Sequence, residues 1–177
     1  YVNYLLSKGQ THVAYEVFGH GMDEEQIAGV FNGGFEQMPM NGGFDWQISS
    51  TFNEEARRVT TEPREGLGSL RIVFDGASNV NYQGVSHRLA VNPGQSYALT
   101  FWIRTEGIST DEGVYVEVEG QRSEAALGTT YWTDFTIPFT ASANLTNIRV
   151  RRDPSEKLDN LLRGTVWFDE FELTPVE

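Results

Sequence analysis

Aromatic rings alternating with charged side chains are the residues of this chain best suited to meet a ligand. The run 97–104 sets Tyr97, Leu99, Phe101 and Ile103 against Ala98, Thr100, Trp102 and Arg104. The run 114–119 sets Val114, Val116 and Val118 against Tyr115, Glu117 and Glu119. Ile148 and Val150 alternate with Arg149 and Arg151 in the same way. A period of two is that of half-buried strands. With the apolar sets facing a core, Trp102, Arg104, Tyr115, Glu117 and Arg151 face outward and are expected to line one concave sheet. Sugar rings stack their apolar faces on aromatics, and their hydroxyls need a few fixed polar groups, so such a sheet suits a glycan. Trp46, Tyr82, Gln83 and His87 lie on flanking segments and are candidate walls. The same pattern allows a plainer reading, in which Glu117 pairs with Arg104 or Arg151 across strands and Trp102 is covered by a loop or by N-terminal helices. Arginines where amides would suit a neutral glycan favour an acidic polysaccharide over cellulose or xylan.

Catalytic chemistry has little to stand on. Glu117 with Glu119, and Glu170 with Glu172, share strand faces. Two carboxylates roughly 5 to 9 Å apart serve glycosidases, but any i, i+2 strand pair approaches that spacing. His12, His20 and His87 are scattered, without a metal-ligand spacing. There is no cysteine and no G-x-S-x-G elbow. The expectation is a non-catalytic protein. Asn144-Leu145-Thr146 fits a glycosylation sequon, a triplet common by chance.

Glycine and proline punctuate the segments that must position these groups. Asn41-Gly42-Gly43, Asp75-Gly76, Asn92-Pro93-Gly94, Glu106-Gly107 and Asp153-Pro154 read as turns between short strands. Many short alternating strands with such turns predict an antiparallel sandwich over 32–177. The longest polar interruption, Pro154 to Gly164, reads as a loop with a helical turn. Residues 1–31 differ. Tyr1, Tyr4, Leu5, Val13, Val17 and Phe18 include helical spacings, and Asp23 is a plausible N-cap for a second stretch carrying Ile27 and Val30.

The net charge of −12 argues against binding to nucleic acid or to anionic lipid. No apolar run reaches the roughly 20 residues of a membrane helix. The chain opens on Tyr1 rather than Met and is read as a piece of a longer protein whose targeting signal lies elsewhere.

Four segments carry a resemblance. Asn32-Gly33-Gly34-Phe35-Glu36 resembles the opening strand of the carbohydrate-binding modules of families four, nine and twenty-two, which are galactose-binding-like jelly rolls. Gly68-Ser69-Leu70-Arg71-Ile72 is similar to a later strand of theirs. The run from Val91 to Trp102 resembles their turn and strand of the form PG-x-x-Y-x-L-x-F. Gly164 to Leu173 resembles their closing strand. Residues 1–31 resemble the last unit of a tetratricopeptide-type array. The resemblance implies an all-β, antiparallel jelly-roll β-sandwich with a short helical N-terminal segment. It also implies a structural calcium ion tying the first strand to the last, with Glu36 and Asp169 at the matching positions and Gly34 and Ser69 beside them. Calcium takes six to eight oxygens, carboxylate and carbonyl alike. The expected role is polysaccharide binding within a larger bacterial-type protein that is periplasmic, secreted or at the cell surface, in contact with an upstream helical repeat domain. The alternative is a structural or protein-interaction sandwich that has lost its glycan site.

Overall fold

The computed structural model describes residues 1–176, apart from the side chains of Glu25 and Gln26. Three short helices lead in: α1 (Val2–Ser7), α2 (Thr11–Phe18) and α3 (Glu24–Ile27). Ten strands follow: β1 (Gln47–Ile48), β2 (Glu54–Val59), β3 (Ser69–Asp75), β4 (Tyr82–Ala90), β5 (Ser96–Ile108), β6 (Tyr115–Val118), β7 (Gln121–Arg122), β8 (Gly128–Thr140), β9 (Leu145–Arg152) and β10 (Arg163–Val176). They form two five-stranded sheets. Sheet A runs β1-β4-β9-β6-β7 and sheet B runs β2-β3-β10-β5-β8. Every strand pair is antiparallel.

The alternation read from the sequence sets the layers. Tyr97, Leu99, Phe101 and Ile103 from β5, Leu70, Ile72 and Phe74 from β3, and Val166 and Phe168 from β10 face inward from sheet B. Val116 and Val118 from β6, Ile148 and Val150 from β9, and Val85 and Leu89 from β4 meet them from sheet A. Removing each large apolar side chain from water contributes about 1.5–3 kcal/mol, so this interior is what holds the sandwich. The residues between them on each strand are left on the two outer faces.

Two expectations are corrected here. Asn32 to Glu36 is a turn rather than an opening strand. Asn32 and Phe35 take positive φ (54° and 53°), and Gly33 accepts the Phe171 N–H at 3.1 Å on its carbonyl. Its Cα lies so close to β10 that a Cβ would sit 2.0 Å from the Phe171 carbonyl oxygen, so only glycine fits. The segment's apolar signal comes from Phe35, which is fully buried and stacks on Trp46 at 4.8 Å. The 153–162 connection contains bends but no helical turn.

The helices are not a separate body. Leu5, Ala14 and Phe44 form a small buried cluster with Val2, Leu6, Tyr15 and Phe18, and this cluster packs on Ala90 of β4 and Leu145 of β9. It therefore covers one end of the outer face of sheet A. Among the described residues no helix is long and apolar enough to cross a membrane.

Candidate functional site

The rest of sheet A's outer face is open, and strand register defines it. Gln47 of β1 pairs with Ser86 of β4, Ser86 with Arg149 of β9, Arg149 with Glu117 of β6, and Glu117 with Arg122 of β7. One polar row thus crosses all five strands. Arg88 with Asn147 and Arg151 with Tyr115 make the rows on either side. Beside β1 a hollow of about 270 Å³ is lined by Asn41, Gln47, Ser49, Gln83, Gly84 and Ser86.

Electrostatics organise this face. Glu117 lies 3.5 Å from Arg149 Nη1 and 3.7 Å from Arg151 Nη1, too long for tight bidentate pairing. Arg151 Nε is buried without a hydrogen-bond partner. Tyr115 donates its hydroxyl to Asp153 Oδ2 at 2.9 Å, while Arg122 lies over its ring at 5.4 Å and pairs with Asp153 at 3.7 Å. Burial and the bond to Asp153 hold the Tyr115 phenol above its ordinary range. Arg88 donates to the Asn3 side chain at 2.9 Å, so α1 touches the rim of the face.

The structure divides the residues expected to share one sheet. Tyr115, Glu117 and Arg151 lie together on sheet A's outer face, with Gln83 exposed nearby. Trp102 and Arg104 belong to β5 and lie on the outer face of sheet B, across the sandwich. Alternation tells in from out on each strand but does not say which sheet a strand joins. Trp102 is capped by the Arg64 guanidinium at 3.7 Å, and Arg104 lies over the Trp167 ring at 4.7 Å while pairing with Glu62 at 3.3 Å. Trp46 and Tyr82 are fully buried and cannot be walls. Trp46 donates Nε1–H to the Asn32 carbonyl at 3.0 Å, and Tyr82 meets Phe74 edge-on at 5.4 Å. His87 is buried against Trp46, its Nε2 3.0 Å from the Phe31 carbonyl oxygen. Burial pushes its pKa down to about 4, so the ring is neutral.

Glu36, Asp169, Gly34 and Ser69 fall around sheet B's outer face and the 60–68 loop that crosses it. Asp169 is fully buried. Its Oδ2 accepts the Arg64 N–H at 2.8 Å and the Glu65 N–H at 3.4 Å, and its Oδ1 accepts the Glu170 N–H at 2.9 Å. Glu36 accepts the Leu67 N–H at 2.9 Å, so one loop receives both carboxylates. A Cβ on Gly34 would lie 2.9 Å from Glu170 Oε1 and 3.8 Å from Asp169 Oδ1. Ser69 donates Oγ–H to the Glu62 carbonyl at 3.4 Å. Burial raises the Asp169 pKa to about 6; burial first, then the Glu65 and Glu172 charges, raises that of Glu170. The ion pairs among the described residues include none made by Glu36, Asp169 or Glu170. The donor types fit a hard cation. The carboxylates, however, point at backbone N–H groups, and among the described residues no three acidic or histidine side chains are grouped around a common point.

Two arginines escaped the sequence reading. Arg88 sits on the open face, and the signal for it was the inward pair Val85 and Leu89 on either side of His87. Arg152 is buried, at a position the sequence reading did not single out. The signal was present, since it continues the inward series Thr146, Ile148, Val150.

No family model matches the chain, and no curated protein matches it in sequence. Solved structures do. The CBM22-1 xylan-binding domain of Paenibacillus barcinonensis Xyn10C aligns over 81% of this chain and 92% of its own, at 12% identity and TM-score 0.54. TmCBM61, solved with β-1,4-galactotriose, aligns over 84% and 99%, at 15% identity and TM-score 0.57. A CBM4 structure aligns over 83% and 99%, at 16% identity and TM-score 0.54. The chain has the jelly-roll sandwich fold of carbohydrate-binding modules. Identities this low establish the fold, which hosts many tasks, and leave function to the site.

Proposed function

We propose that this protein is a non-catalytic glycan-binding module of a larger protein, and that it binds through the open outer face of sheet A. The observation that supports this best is the polar row Gln47–Ser86–Arg149–Glu117–Arg122, which crosses five strands of a face that the helical cluster covers at its Ala90 and Leu145 end. A long polymer can lie across such a face, with hydroxyls meeting fixed donors and acceptors. A glycan-array screen tests the reading. Hits should be lost in Ser86→Trp, which fills the middle of the row from a half-buried surface position, and kept in a Trp102 variant. Hits unaffected by Ser86→Trp would remove sheet A from the binding site.

The competing reading is a protein-interaction sandwich. Its support is specific: the open face carries one aromatic, Tyr115, only 5% exposed and committed to Asp153 and Arg122. A blank array from folded protein would favour it.

We also infer that calcium binds at Glu36 and Asp169, with Gly34 and Ser69 beside them. The support is a buried carboxylate without a cation, next to Glu170 and bridged to Glu36 by one loop. The ion would neutralise that charge and pin β10 to the 60–68 loop. A surface or exported location and an upstream helical repeat domain complete the proposed setting.

A further inference from the structure

The arginines of sheet A point to the class of glycan. Arg88, Arg149, Arg151 and Arg122 occupy neighbouring rows of one face, and the carboxylates paired with them are Glu117 and Asp153. Four guanidiniums against two carboxylates give this face positive charge on a chain of net charge −12. Such a contrast between a patch and its protein draws an anion to the patch and repels it elsewhere.

Donor capacity is also left over. One Glu117 oxygen, Oε1, serves both Arg149 and Arg151, at distances beyond a hydrogen bond. Arg88 meets an amide oxygen and the Gly43 carbonyl oxygen rather than a carboxylate. Each guanidinium presents five N–H donors in a fork that matches a planar carboxylate. Arg149 and Arg151 are two residues apart on one strand face, roughly 7 Å. Arg88 lies one row beyond Arg149. The line of forks runs along β4 and β9, where a chain bearing carboxylates at intervals can engage more than one.

We propose that sheet A's outer face binds an acidic polysaccharide, with uronate carboxylates held by Arg149, Arg151 and Arg88 and Glu117 acting as the internal anion the ligand must outcompete. This rests on the glycan-binding reading and narrows it. A nucleic acid is the other polyanion to consider. Its dense phosphate charge meets an overall acidic protein, and the face offers no exposed aromatic on which bases stack.

The experiment measures binding of the full chain, by titration calorimetry at low and physiological salt, to polygalacturonate, alginate and hyaluronan. Methyl-esterified polygalacturonate, neutral xylan and a single-stranded oligonucleotide are the comparisons. At least one polyuronate should bind and weaken with salt. Where polygalacturonate is that ligand, its methyl ester should bind on the order of tenfold or more weakly, the size of a lost charged hydrogen bond. Arg149→Gln and Arg151→Gln should weaken the bound polyuronate by a similar factor, and Glu117→Gln should tighten it. Arg149 is half exposed, so its variant is expected to melt as wild type. Binding of the neutral polymers alone, or uronate binding unchanged in both arginine variants, overturns the acidic-ligand proposal while the glycan reading stands. Equal binding of the oligonucleotide overturns it in favour of a general polyanion surface. No binding to any glycan overturns both.

Discussion

Arg152 Nη1 donates to Asn79 Oδ1 at 2.7 Å, and the same oxygen accepts the Ser155 N–H at 2.9 Å. The guanidinium is fully buried and is saturated by its surroundings. Nη1 also reaches the Val80 carbonyl at 2.6 Å, Nη2 the Thr110 hydroxyl at 3.0 Å, and Nε the Glu112 carbonyl at 3.1 Å. Three connections, 76–81, 109–114 and 153–162, are thereby tied at one end of the sandwich. Desolvation lowers the Arg152 pKa, partly offset by Glu112, Asp111 and Asp153, and the side chain stays charged.

Arg152→Ala should therefore be among the most damaging single changes. It leaves several buried acceptors unmet, each costing about 1–3 kcal/mol, for a total on the order of 3 kcal/mol or more. Arg152→Lys should recover only part, because one ammonium cannot reach four acceptors in a plane. Urea unfolding midpoints check both. A midpoint shift under a few tenths of a molar would remove Arg152 from this role.

His87 gives the stability a pH dependence of known sign. Its folded pKa, about 4, lies below the ordinary 6.5 because the ring is buried. Between these values the unfolded chain binds a proton at His87 that the folded one does not, so the His87 contribution falls as pH drops from about 6.5 toward 4, opposite in sign to that of Asp169, whose folded pKa is raised to about 6. The full effect is on the order of 3 kcal/mol. His87→Gln, which keeps a donor toward Phe31, should gain stability relative to wild type as pH is lowered through this window. Identical slopes in both proteins would show that His87 does not titrate there.

Much of this architecture was readable from alternation, and the failures have physical causes. Leu99, Ile103, Val116, Ile148 and Val150 lie inside as their period of two requires. That period is local, whereas sheet membership is decided by long-range pairing, so alternation alone puts Trp102 and Tyr115 on one sheet although 12 residues and a sheet crossing separate them. Position on flanking segments misled at Trp46 and Tyr82. They were expected as walls, but the bulk of each ring is worth more inside the core than on a rim. Arg152 is the converse case, a charge whose burial was legible from its place in the inward series of β9 rather than from its type.

Calcium makes a prediction that separates it from a buried acid without an ion. Saturating an ion site at about a hundred times its Kd adds about 2.7 kcal/mol, or roughly 5–10 °C in Tm for a chain of this size. Chelator should lower Tm by that amount, and Glu36→Ala or Asp169→Asn should abolish the response. Without an ion, Asp169→Asn relieves an uncompensated buried charge and raises Tm, and chelator does nothing. Thermal melts of the three proteins with calcium and with chelator distinguish the two cases.

Trp102 tests which face binds. It lies on sheet B beneath Arg64, next to Asp169 in register, and faces away from the arginine rows of sheet A. Trp102→Ala loses the cation–π contact, about 0.5–1 kcal/mol at a partly exposed site, together with the packing of a large ring. It should lower Tm by several degrees and leave polysaccharide affinity within about twofold of wild type, since sites this far apart are additive. Loss of binding with an unchanged melt would move the ligand to sheet B, where Trp102, Trp167 and Arg104 lie together, and would make the Arg64 cap a lid over a stacking platform.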